Sequence, residues 1–169
     1  RSFLFGLFNA MGGCSKSVNE KIMEKLNLAL KYTEDAGYEK FAVEDMHEET
    51  IDQAKKITAT DDSTQQAENI KAIESQFLED DMNYPICFLR CLTSSYLKTN
   101  RALYEAFLEL HPTIDVFCTQ EVDPMWKEAD QLQIQALTAY FGVKCSIFYL
   151  DQSSGEVCNE HKVCESGDI

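Results

Sequence analysis

Apolar side chains recur every four residues at Val18, Ile22, Leu26 and Leu30, and Gly37 follows them as a stop signal. That period is helical. Ser17 and Glu20 have the spacing of a capping box and predict where this helix starts. Before it, residues 2–10 read as an apolar helix ending at Gly12-Gly13. After a short link at Tyr38–Phe41, Val43, Met46, Ile51, Ala54 and Ile57 predict another helix with an acidic, polar remainder. Thr58–Ser63, with Asp61-Asp62, reads as a polar loop, and Ile70, Ile73 and Phe77 mark the next helix.

Residues 84–97 break this amphipathic pattern. Ile86, Cys87, Phe88, Leu89, Cys91, Leu92, Tyr96 and Leu97 leave little polar face. A helix apolar nearly all round is buried on all sides, so this one is expected at the centre. Asn100 is placed to cap a following helix with Leu103, Ala106, Phe107 and Leu110 turned inward. Pro112 ends that stretch, and Thr113 can cap a short helix through Cys118. A helix over about Gln131–Phe141 stops at Gly142, and Val143–Leu150 reads as a strand. Asp151–Gly155 reads as a turn, and the tail after Cys158 has no clear pattern. Helices first and a strand late give α+β. A lone strand needs partners, which are expected beyond Ile169.

The 169 residues fit one domain, 1–169. The first residue is Arg1 rather than Met, which suggests a sequence begun within a longer frame. The net charge of −14 argues against a nucleic-acid partner, since phosphate binding needs a basic face. It suits a basic protein surface, or simply keeps the domain dissolved. No apolar run approaches the roughly 20 residues that span a bilayer, so no membrane partner is expected. Seven cysteines, an odd number, sit largely among hydrophobes such as Cys87, Cys91, Cys118 and Cys145. They read as buried free thiols in a reducing compartment, with the cytoplasm as the expected location and the nucleus as a second one.

Thiol catalysis needs a thiolate at an electropositive site, a histidine base and a group that orients it. His47 lies among acidic residues, His111 precedes Pro112 and His161 is in the tail, so all three are expected at the surface. Cys14 follows Gly12-Gly13 as a weak nucleophile candidate. Cys87 and Cys91 are spaced one turn apart, but no CxxC pair or histidine completes a metal site in the sequence, and no metal or cofactor is expected. Glu48-Glu49, Asp61-Asp62 and Asp80-Asp81 read as solvated faces. The distinctive segment is Glu121-Val122-Asp123-Pro124-Met125-Trp126-Lys127-Glu128-Ala129-Asp130, which holds four carboxylates, a stiffening proline and the single tryptophan. It reads equally as a recognition loop or as core residues and carboxylates capping the next helix.

This loop, with Ile134 and Ala136-Leu137 after it, resembles the otubain family of OTU-type cysteine deubiquitinases. Leu89-Arg90-Cys91-Leu92-Thr93-Ser94-Ser95-Tyr96-Leu97 and Val43-Glu44-Asp45-Met46-His47 resemble two further family segments in the same order. The resemblance covers residues 1–161 and implies a papain-like otubain fold whose small late sheet is incomplete here. It implies thioester chemistry on ubiquitin isopeptide bonds, with degradation-type chains as substrate. Ubiquitin, polyubiquitin and ubiquitin-conjugating enzymes are the implied partners. Arg1-Ser2-Phe3 resembles the continuation of the family's nucleophile motif, which places the cysteine three residues before Arg1 and the catalytic histidine after Ile169. No catalytic residue is then expected in this chain, and His161 matches a family position that is not the base. Glu128, Asp130, Gln131 and Gln133 are the residues implied to border the active site or bind ubiquitin. Gln131 and Gln133 stand where relatives often carry histidine. A non-catalytic ubiquitin-binding module is the competing reading.

Overall fold

A computed structural model of the chain describes residues 6–7, 11, 16–60, 62–79, 83–108, 110–151 and 157–164. The side chains of Ser63, Glu74, 76–79, 148–150 and 158–164 lie outside that description, as does the Phe77 expectation. Of the predicted first helix, Gly6 and Leu7 are helical, as is Met11 just past its predicted end, and Leu7 and Met11 are buried. The expected turn at 151–155 is described only at Asp151.

Helix α1 spans Lys16–Asp35 and buries Ile22, Leu26, Ala29 and Thr33, one stripe at helical spacing. It already includes Ser17, so Ser17 lies within the helix and is not its cap. Gly37 follows with φ +103°, a left-handed conformation that side chains with a Cβ resist. Helix α2, Lys40–Thr58, starts sooner than expected and buries Val43, Ile51, Ala54 and Ile57. Asp62 caps α3 (Ser63–Glu79) by accepting from the amides of Thr64 and Gln65 at 2.8 and 3.3 Å. That carboxylate has a structural role beyond solvation.

Helix α4, Tyr84–Thr99, is the central element. Asn83 caps it by accepting from the Ile86 amide at 3.2 Å, and Pro85 sits in its first turn, where its missing N–H costs nothing. Phe88, Leu92 and Leu97 are fully enclosed. α4 packs against α1, α2 and the late helix α7, Gln131–Phe141. Two of its buried hydroxyls are satisfied within the helix, with Thr93 donating to Leu89 O and Ser95 to Cys91 O, each at 2.7 Å, while Ser94 reaches out to Asp123. This is how a helix with polar residues can be buried, because an unpaired hydroxyl there costs about 1–3 kcal/mol.

The segment after α4 departs from expectation. Helix α5 covers only Arg101–Tyr104, and a 3₁₀ turn follows at Glu105–Phe107. The Asn100 side-chain amide folds back to donate to Tyr96 O at 2.9 Å, so Asn100 closes the C-terminus of α4 and its side chain does not cap α5. Tyr104 takes the inward position, while Leu103, Ala106, Phe107 and Leu110 are exposed, Leu110 at 89%. The short helix rotates the chain so that the aromatic ring meets the core, edge-on to Tyr96.

Thr113 caps α6, Ile114–Phe117, through the Val116 amide as predicted, and a π-helical turn continues through Cys118–Val122. α7 ends at Gly142 with φ +69°. Strand β1, Cys145–Leu150, pairs antiparallel with β2, Val157–Cys164, with Ile147 opposite His161. The expectation of an unpaired strand and a patternless tail is therefore overturned. β2, which packs against α7, carries too few alternating hydrophobes to announce itself in sequence. His161 lies on this strand and not in an irregular tail.

Candidate interaction site

The acidic segment 121–130 lies on a second, smaller cluster of Leu97, Tyr104, Ile114, Phe117, Cys118, Val122 and Ala136. It is held at both ends. Arg90, on α4, donates Nη1 to Val122 O at 2.7 Å and Nη2 to Lys127 O. One guanidinium thus spans the loop, a use its planar fork of donors permits and a lysine cannot match. Burial is the main influence lowering the Arg90 pKa, opposed by the nearby Cys87 and Asp123.

Asp123 closes the inner side, where its Oδ1 accepts from Tyr38 OH at 3.0 Å and from Ser94 Oγ. Burial raises the Tyr38 pKa strongly, so its phenol remains a donor. Met125 packs on the main core, with its Sδ 3.4 Å from Cys87 Sγ. Lys127 Nζ pairs with Glu121 at 2.8 Å, and Glu121 faces His111 Nε2 at 3.9 Å.

The expected site residues divide. Glu128, Asp130 and Gln131 are exposed on the outer side of the loop and the first residue of α7. Asp130 also caps α7 by accepting from the amides of Leu132 and Gln133 at 3.0 and 3.3 Å. Gln133 is only 4% exposed, and its Nε2 donates to Glu121 O at 3.2 Å. It holds the loop and does not face a partner. Trp126, which the sequence allowed as core, is 83% exposed at the tip. The two readings of this segment are both realised, on opposite sides: Val122, Asp123 and Met125 fasten it, while Trp126 and Glu128 face outward.

The thiols and imidazoles do not form a catalytic pair among the described residues. Burial, chiefly, pushes Cys91 up to about 12 and Cys118 up to about 11, and raises Cys87 and Cys145 as well. These groups are protonated at neutral pH and poor nucleophiles. His47 and His111 are half-buried, not surface residues as expected. His47 Nε2 bonds Leu26 O at 2.8 Å and its ring packs on Phe88, tying α2 to α1 and α4. His111 packs on Phe117. Cys14 lies outside the described residues.

A sequence model of the family described as Peptidase C65 Otubain matches residues 1–168. The chain belongs to the otubain family. Ubiquitin thioesterase OTUB1 of Homo sapiens is 33% identical to it over 125 residues, 74% of this chain and 44% of that protein. OVARIAN TUMOR DOMAIN-containing deubiquitinating enzyme 1 of Arabidopsis thaliana is 28% identical over 173 residues, covering 100% of this chain and 53% of that protein. The chain thus spans about half the length of these curated relatives. A solved structure of h/ceOTUB1 with ubiquitin aldehyde and UBCH5B~Ub superposes with a TM-score of 0.73 at 26% identity. That match covers 99% of this chain and 63% of the other. The α+β otubain fold expected from the resemblance is therefore the fold of this chain.

Proposed function

We propose that this chain is the helical body of a cysteine-type deubiquitinase acting on ubiquitin conjugates or degradation-type polyubiquitin. The observation that carries the reading is the otubain family match over residues 1–168. The geometry supports it with a ready-formed acidic loop. Pinned by Arg90, Asp123 and Gln133, the loop holds Trp126, Glu128, Asp130 and Gln131 outward with little conformational freedom left to lose on binding. An exposed tryptophan in a carboxylate-rich loop suits a partner with an apolar patch and basic rim. Ubiquitin and ubiquitin-conjugating enzymes are the proposed partners, and the cytoplasm and nucleus the proposed locations.

In the proposed reaction a cysteine thiolate attacks the isopeptide carbonyl, the lysine amine leaves, and water hydrolyses the thioester. Among the described thiols, Cys87, Cys91, Cys118 and Cys145 lack the setting for that attack, and residues 1–169 are proposed to be inactive by themselves.

The test has two arms. Ubiquitin titrated into isotope-labelled chain is expected to shift the Trp126 indole resonance and the amides of 126–131. Unmoved resonances would sink both the enzyme reading and that of a non-catalytic binding module. A ubiquitin vinyl-sulfone probe is expected to give no adduct, and specific labelling of Cys14 would refute the assignment of the nucleophile elsewhere.

A further inference from the structure

The sequence presents Cys87 and Cys91 as two thiols without a third ligand. The fold supplies one. Residues i and i+4 of a helix share a face, with Cβ atoms roughly 5–6 Å apart. Both thiols are half-buried on α4, and Cys87 acts electrostatically on Cys91. The loop, fastened by Arg90 and Asp123, lays Met125 Sδ 3.4 Å from Cys87 Sγ. Two soft donors from separate elements, Cys87 and Met125, thus meet at the half-buried edge of the core, with Cys91 one turn along the same face of α4.

We propose that Cys87, Cys91 and Met125 form a site for one Cu(I) ion. Two thiols and a thioether make a ligand set that favours a soft monovalent ion over magnesium, calcium or manganese. Arg90 lies between the two cysteines in sequence, its charge acts on Cys87, and its Nε is buried without a hydrogen-bond partner. Binding breaks two S–H bonds, releases two protons to solvent, and forms two copper–thiolate bonds and one copper–thioether bond. Copper stays monovalent throughout. The complex carries one net negative charge, which the Arg90 guanidinium offsets. Asp123 faces Cys91 from the loop and opposes that charge, while Lys98 on α4 supports it. The cost of deprotonating buried thiols makes this site weaker than an exposed pair. Occupancy would staple the acidic loop to the central helix.

Trp126, the single tryptophan, follows Met125 in the chain, and its emission serves as the optical readout. The full chain, reduced and kept anaerobic, is titrated with Cu(I) supplied in acetonitrile against bicinchoninate. Saturation at one ion per chain with quenching of Trp126 is expected. Cys87→Ser and Met125→Leu should each weaken binding at least tenfold and remove the quenching, while Cys118→Ser should match the parent. Met125→Leu conserves volume and keeps all seven thiols, and its circular dichroism verifies the fold. Copper bound equally by Met125→Leu and the parent, or bound without a tryptophan response, overturns the proposal. No ubiquitin enters the assay, so its outcome is separate from the deubiquitinase reading.

Discussion

Replacing Arg90 isolates the clamp on the acidic loop. Arg90→Ala deletes the bonds to Val122 O and Lys127 O. Hydrogen bonds made by a charged group contribute about 1.5–3 kcal/mol each, so the gross loss is about 3–6 kcal/mol. Two effects reduce it. Burial already disfavours the guanidinium charge, and its Nε lacks a partner, so removing the side chain relieves part of that cost. Lys127 is also half-exposed, and water can reach its carbonyl once the clamp is gone. A net loss of about 2–3 kcal/mol follows, concentrated in the loop. Arg90→Lys keeps a charge but cannot span both carbonyls, and should recover about half. Urea unfolding measures the total, and amide exchange with mass spectrometry locates it. Residues 122–128 should lose protection in Arg90→Ala while α2 exchanges as before. Unchanged loop exchange despite a loss of stability would falsify the clamp, since Arg90 would then be only a packing residue of α4.

Three further outcomes test the framework. Phe88→Ala empties a fully enclosed site against His47 and should cost about 3–5 kcal/mol, read as a lower urea midpoint; less than about 1 kcal/mol would contradict the central placement of α4. Asp130→Ala removes the α7 cap and should cost about 1 kcal/mol, whereas Asp130→Asn or Asp130→Ser should retain most of it. Cys118, pushed up to about 11 by burial, should resist a thiol-specific disulfide reagent at pH 7.5 and react only as denaturant opens the core. Because the thiol that reacts is the one released from burial, its rate should rise about tenfold per pH unit only up to the ordinary thiol value of about 8.5, and rapid labelling in native buffer would show the thiol exposed.

Much of the helical body was legible from the chain alone. Leu26 and Val43 fall on periodic stripes that the structure buries, and the unbroken apolar character of 84–97 announced a central helix. Gly37, Thr113 and Gly142 marked boundaries because their local chemistry decides them, through left-handed backbone or a side-chain cap. Family membership was legible too, in segments whose residues were present and in order. What failed was whatever depends on a distant partner. The spacing at Leu103, Phe107 and Leu110 is helical, yet only the arrival of Tyr96 beside Tyr104 decides which face turns inward. β2 exists because β1 offers it a ladder, not because its own pattern demands a strand. The acidic loop could be named from sequence but not divided into sides. Arg90 lies 32 residues from Val122 and Tyr38 85 from Asp123, so hydrogen bonds made across the fold decide that Met125 and Gln133 turn in while Trp126 turns out.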